Sequence, residues 1–111
     1  MRITMNYFYE NRAGFVYFIQ ESILKNIKIG FTSSHPKKRL QTLSIASSQE
    51  LYFLGFMLVD KSHEKKLHTK FKHLNIKKEW FKPGEDLLEY IDKLNYGNEF
   101  ELELATFIKA T

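Results

Sequence analysis

Residues 14–20, Gly-Phe-Val-Tyr-Phe-Ile-Gln, form a short run of aromatic and β-branched side chains, and Ile27-Lys-Ile-Gly-Phe-Thr32 then alternates apolar with polar or small residues. Both are strand signatures, and the polar stretch 21–26 between them predicts a hairpin. That pair of strands commits the chain to a sheet, and the remaining segments must pack against it. Residues 51–59 are nearly all apolar, interrupted by Gly55. The run reads as a strand buried on both faces, hence as the middle of a small sheet.

Helix signals fill the gaps. Thr32-Ser-Ser-His-Pro36 supplies capping residues and a Pro suited to a first turn, with Leu40 and Leu43 as a short apolar edge. Asp60 can cap a second helix running to about Leu74. Residues 75–82 read as a turn leading into Glu79-Trp80-Phe81. Pro83-Gly84 opens a third helix with Leu87, Leu88, Ile91 and Leu94 on one side, closed near Tyr96-Gly97. Residues 98–111 fit either a strand or a helix, and propensity favours the helix. The sum is an α+β chain around a three-stranded sheet.

With 111 residues, 43% of them hydrophobic, the chain can form one packed domain. Cysteine is absent, which excludes disulfides, thiolate chemistry and cysteine-ligated zinc. No apolar run is long enough to span a membrane, and residues 1–12 lack the apolar core of a signal peptide. A cytoplasmic protein with no membrane partner is expected, as a monomer or weak homodimer.

The net charge of +4 is unevenly spread. Residues 25–82 carry thirteen Lys and Arg against four Asp and Glu, a net of +9, whereas residues 83–111 sum to −5. A basic middle of that strength attracts polyanions, though a solvated lysine surface would have the same composition.

On a helical wheel of residues 60–74, Glu64 falls within the stripe of Leu67, Phe71 and Leu74, while Lys65, Lys66, Lys70 and Lys72 point to solvent. A carboxylate on a buried stripe is costly unless it is paired or holds a cation. Two readings stay open: an ion pair with Arg39 or Lys28, or a ligand for a hard, water-rich divalent metal. His68, one turn on, is better read as a packed, hydrogen-bonded histidine than as a ligand. Arg39 sits where a guanidinium can clamp a phosphate, or is a surface arginine beside Lys37 and Lys38. His35 can cap its helix or shuttle a proton, capping being the favoured role. Tyr17 is mid-strand and can simply pack. Lys28, Gly30 and Thr32 share one strand face, and Gly30 leaves room there for another backbone or a ligand. Trp80 and Phe81 are read as anchors of the last helix rather than as base-stacking surfaces.

Taken in order, Phe15-Val16-Tyr17, Lys28-Ile29-Gly30 with Thr32, Arg39, Glu64 with Leu67-His68 and Phe71, and Glu79-Trp80-Phe81 resemble the GIY-YIG endonuclease superfamily. More narrowly, the set is similar to the branch common in phage and prophage proteins. The resemblance covers roughly residues 14–91. It implies a three-stranded antiparallel sheet flanked by helices, residues 14–96 forming the nuclease domain. Residues 1–13 would be an N-terminal extension, and 97–111 an acidic segment packed on the same domain. It further implies one-metal hydrolysis of a phosphodiester, with Glu64 binding Mg²⁺ or Mn²⁺. Tyr17 would position or deprotonate the attacking water, Arg39 would stabilise transition-state charge, and Lys28 would assist the phenol or neutralise phosphate charge. Lys28 stands in place of that family's second tyrosine. Its late asparagine has no clear counterpart, Asn75 being the nearest. Without a separate DNA-binding domain, backbone-directed binding would fall to Lys37, Lys38, Lys65, Lys66, Lys70, Lys72, Lys77 and Lys78.

Three functions of different class follow. One is a metal-dependent nuclease acting on nucleic acid, DNA in the first instance. The second is a non-catalytic nucleic-acid-binding or regulatory module that keeps the fold. The third is a protein-interaction domain whose charges are only surface.

Overall fold

The hairpin forms where the sequence places it. In the computed structural model, which describes residues 14–34, 36–47 and 49–94, β1 (Gly14–Glu21) pairs antiparallel with β2 (Ile27–Thr32) in a register that sets Tyr17 opposite Gly30 and Ile19 opposite Lys28. The turn between them is closed by Lys25, in the left-handed region at φ 65°, whose backbone N–H donates to the Glu21 carboxylate at 2.7 Å. Helix α1 (Pro36–Ala46), β3 (Leu51–Val59) and helix α2 (Ser62–Lys70) follow. A short 3₁₀ turn at Lys72–Leu74, β4 (Asn75–Lys77), β5 (Trp80–Phe81) and helix α3 (Glu85–Asp92) complete the described chain.

The fold is α+β, with three helices and an antiparallel sheet of five strands in the order β3-β1-β2-β5-β4. The sheet therefore has two strands more than the sequence predicts. Both extra strands come from the segment read as a turn. Asn75 makes that hairpin by donating its side-chain amide to the carbonyls of Lys78 and Trp80, at 2.8 and 3.2 Å, around Lys78 at φ 52°.

The middle of the sheet also differs from expectation. Among the described residues β3 pairs only with β1, at one side of the sheet, and most of it is half-buried, Tyr52 being 44% exposed. β1 takes the central place, with Phe15 through Ile19 at 0–1% exposure. Strand alternation explains how one strand serves two cores. Val16 and Phe18 face one way, with Ile27, Ile29 and Phe81, and are covered by Leu67 and Phe71 beside α2 and by Leu87 and Ile91 of α3. Phe15 faces the other way, against Phe56, Phe53 and Leu58, the Phe15 and Phe56 rings lying 5.9 Å apart.

The helix that carries Glu64 is shorter than the sequence predicts. Lys61 rather than Asp60 holds the cap position of α2; Asp60, one residue earlier, accepts the Ser62 backbone N–H at 2.9 Å, and regular helix ends at Lys70, where the chain tightens into the 3₁₀ turn. α3 ends at Asp92. It buries Leu87 and Ile91, whereas Leu88 is 40% exposed and leaves the apolar face. Glu85 and Asp86 in its first turn oppose the positive end of the helix dipole. The expectations for residues 1–13, for closure at 96–97, for 97–111 and for a helix over 98–111 lie outside the described residues, as does His35. Among the described residues no helix is long and apolar enough to cross a membrane.

Candidate functional site

The face of β1 and β2 that carries Tyr17, Lys28 and Gly30 is the one from which α1 reaches in. Tyr17 is 1% exposed. Its ring lies across Gly30, so the room that Gly30 leaves above the sheet is taken by the phenol and not by a ligand. Arg39, exposed on α1, donates its Nε–H to the Tyr17 hydroxyl oxygen over 3.4 Å, a long and hence weak bond. The same bond, the nearby phenol and the charge of Glu79 push the guanidinium pKa up, against a smaller opposing effect of burial.

Lys28 comes from the neighbouring strand. Its Nζ lies 3.1 Å from Glu79 Oε1 and 5.7 Å from the centre of the Trp80 ring, and only 14% of its side chain is exposed. Strand pairing fixes this arrangement: Lys28 stands opposite Trp80, and the Glu79 carbonyl accepts the Ile29 N–H at 3.0 Å. The sequence alone does not single out Glu79 as a site residue. The strand that follows it is two residues long, too short to show a period, and the only signal is its place beside Trp80 and Phe81.

Glu64 lies in the first turn of α2, half-buried. Burial raises its pKa, and the negative charge of Glu79 raises it further, with His68, Lys61 and Lys28 partly opposing. Neither ion-pair partner expected from the sequence is used, because Lys28 pairs with Glu79 and Arg39 with Tyr17. Among the described residues no hydrogen bond or ion pair reaches the Glu64 carboxylate. His68 is packed as its position predicts. Its Nε2–H donates to the Ile29 carbonyl at 2.9 Å, and its ring meets Phe81 edge-on at 5.0 Å. Glu79 is thus the shared element of the site, ion-paired to Lys28 and felt by both Arg39 and Glu64.

The lysines separate by face. Lys61, Lys65 and Lys72 line an open groove of about 710 Å³ along α2, together with Glu64, His68 and Thr69. Lys61 is a member that the sequence does not single out, although its spacing from Lys65 places both on one helix face. Lys70 points elsewhere, its Nζ 5.9 Å from the Phe71 ring and 5.6 Å from the Tyr90 ring. Lys38, Lys66, Lys77 and Lys78 are exposed. The side chain of Lys37 is outside the described residues, and so is His35. Asn75 spends its amide on the β4–β5 turn rather than on the site.

Among the described residues no cluster of three or more His, Cys, Asp or Glu side chains could hold a metal. A cation here would rest on the Glu64 oxygens, with Glu79 as the neighbouring carboxylate.

Comparison with known proteins corrects the resemblance drawn from the motifs. The family model that matches is that of the T5orf172 domain, over residues 14–95, and no GIY-YIG model matches. The ordered Tyr, Lys-Ile-Gly, Arg, Glu and Glu-Trp-Phe residues are therefore not evidence of GIY-YIG membership, since each triplet is short and the match lies with a different family. No curated protein and no solved structure matches the chain. The matched segment takes in every strand and helix described above, and the chain belongs to the T5orf172 domain family.

Proposed function

We propose that this protein is a metal-dependent nuclease that hydrolyses phosphodiester bonds of nucleic acid, DNA in the first instance. The observation that carries this reading is Glu64: a half-buried carboxylate without an ion-pair partner among the described residues, set in a groove lined by Lys61, Lys65 and Lys72. Lysines that bring in a polyanion beside a carboxylate in need of a cation are what phosphate chemistry requires. T5orf172 domains are phage-associated and often linked to nuclease or DNA-binding function, which supports the same class.

The donor set fits a hard cation. Glu64 and Glu79 offer carboxylate oxygens, and a water-rich Mg²⁺ or Mn²⁺ needs only one or two of these when phosphate oxygens complete its shell. Such an ion, when bound, supplies positive charge to a phosphoryl oxygen and eases ionisation of water. The chain's own groups do the rest. Arg39, held at one edge by the Tyr17 hydroxyl, keeps its terminal nitrogens for a non-bridging oxygen and stabilises charge that grows as water adds to phosphorus and the strand's P–O bond breaks. Lys28 places a second cation nearby, restrained by Glu79. Tyr17, buried beneath it, steadies one edge of the guanidinium through its hydroxyl.

Incubating the purified protein with plasmid and Mg²⁺ or Mn²⁺ tests the reading. Cleavage is expected, and Glu64→Ala and Arg39→Ala should each lower it about a hundredfold. Cutting that survives Glu64→Ala unchanged removes the site.

A second reading, a nucleic-acid-binding module without catalysis, is favoured by one observation: the Tyr17 phenol is 1% exposed and its hydroxyl is already engaged. It predicts salt-sensitive, metal-independent binding and no cutting.

A further inference from the structure

A second groove opens where the β1–β2 turn meets the end of α1 and the start of β3. It encloses about 470 Å³ and is lined by Trp80, Ile76, Leu51, Asn26, Gln49 and Lys77 among others. That is the size range of small-molecule pockets. Trp80 is half-buried, unlike Phe81 beside it at 0%, so the two aromatic residues read from the sequence as joint anchors have separated roles. Phe81 fills the core, and Trp80 keeps part of its indole at the groove. Ile76, 46% exposed, adds an apolar wall that water covers at a cost.

The polar members are suited to neutral hydrogen bonding. Asn26 and Gln49 bring side-chain amides, and neither amide has a partner among the described residues, Asn26 using only its carbonyl and Gln49 only its backbone N–H. Glu21, the acidic member, is committed to the turn through the Lys25 N–H. Lys77 supplies a cation at the rim. An aromatic face, two unspent amides and a lysine match a heterocycle with donor and acceptor edges joined to a phosphate: a nucleobase out of its stack. The groove's Trp80 ring lies 5.7 Å from Lys28 Nζ, so the groove borders the Lys28–Glu79 pair.

We infer that this groove binds one unpaired nucleobase, and that the nucleic acid acted on is single-stranded, frayed or extrahelical at the position next to the reacting phosphate. The inference rests on the nuclease reading for its chemistry, but its binding test is independent of cutting. Trp80 is the only tryptophan of the chain, so its fluorescence reports on this groove alone.

The 111-residue chain, in EDTA, is titrated with a short oligothymidylate, with an abasic strand of equal length, and with the matching duplex. Stacking should quench Trp80 with the base-bearing strand, bound about tenfold more tightly than the abasic one, and quench it little with the duplex. Asn26→Ala and Gln49→Ala, which remove half-buried amides with no partner among the described residues, should each reduce that preference about threefold, with Lys70→Ala as an unaffected control. Equal affinity and quenching for base-bearing and abasic strands overturn the inference, as does a preference that survives the double amide variant unchanged. Metal-dependent cleavage with base-independent binding would sink this groove and leave the hydrolase standing. Base-dependent quenching without cleavage would do the reverse.

Discussion

Gly30 stands directly opposite Tyr17, and the phenol ring occupies the place where any other residue at 30 would carry its Cβ. A methyl group there would overlap the ring, with Tyr17 Cε1 at 2.9 Å and the terminal ring atoms closer still. Absence of a side chain on β2 is therefore what lets the tyrosine lie flat across the strand and meet Arg39.

Gly30→Ala should accordingly act at a distance from any ligand. The Tyr17 ring is enclosed and can move only by disturbing its neighbours, so overpacking should cost about 1–3 kcal/mol, read by urea denaturation. Cleavage should fall with it, because the ring cannot shift without breaking its bond to Arg39. A variant of full stability would show that the ring yields freely.

Glu64 gives a stability signature opposite in sense to the role proposed for it in cleavage. Its pKa is raised in the folded protein by burial and by Glu79, so the folded state holds this proton more tightly than the unfolded chain does. Stability should then fall as pH rises through the window between the ordinary carboxylate value and the raised one. In metal-free buffer at neutral pH, Glu64→Gln should melt slightly higher than the wild type, solvent screening keeping the difference small. The two should converge below pH of about 4. Adding Mn²⁺ should raise the wild-type melting point and leave the variant unchanged. Melting curves at several pH values, with and without the ion, check both signs.

Glu79→Gln should separate the two cations it influences. Lys28, with 14% of its side chain exposed, is deprived of a partner at 3.1 Å, and the carboxylate removed is itself 40% exposed. The expected cost is about 1 kcal/mol, nearer a surface pair than a buried one. Removing the charge also lowers the Glu64 pKa, so the pH window described for Glu64 should narrow. Denaturation midpoints and the Glu64 titration followed by NMR would show the two effects together. An unshifted Glu64 would place Glu79 outside the site.

The lysines of α2 should not be equivalent. Replacing Lys61, Lys65 and Lys72 with Ala should reduce the slope of log affinity against log salt by about 0.9 for each duplex-DNA phosphate that is no longer neutralised. Lys70→Ala should leave the slope unchanged, because that ammonium lies over the Phe71 and Tyr90 rings. Filter binding at several salt concentrations measures this, and an equal effect of Lys70 would refute the assignment of the face.

The hairpin and the helix carrying Glu64 are legible in the sequence because their patterns are local: alternation in β2 and an apolar stripe at residues 67 and 71. β3 misleads for a physical reason. A nearly continuous apolar run signals packing on both faces, and Leu51–Val59 has it, to Phe15 through Phe53, Phe56 and Leu58 on one side and to the main core through Leu54 and Met57 on the other. Packing on the faces does not say how many strands flank a strand, and here β1 alone does so among the described residues. The short β4 and β5 are invisible because two or three residues cannot display a period. Glu79 is hidden with them, since only the pairing of Lys28 with Trp80 turns it toward the other charges. The phenol's enclosure is equally hidden, as it depends on which glycine the register sets across from it.

The imidazole of His68 binds a main-chain oxygen of β2, one helical turn from Glu64. Backbone atoms shift far less than side chains, so this tether ties the acidic end of α2 to the same strand that carries Lys28 and Gly30. The spacing between the turn that carries Glu64 and the strand that carries Lys28 is then set as the chain folds. For the hydrolysis proposed above, such a tether would leave little of that strand and turn to be aligned during turnover.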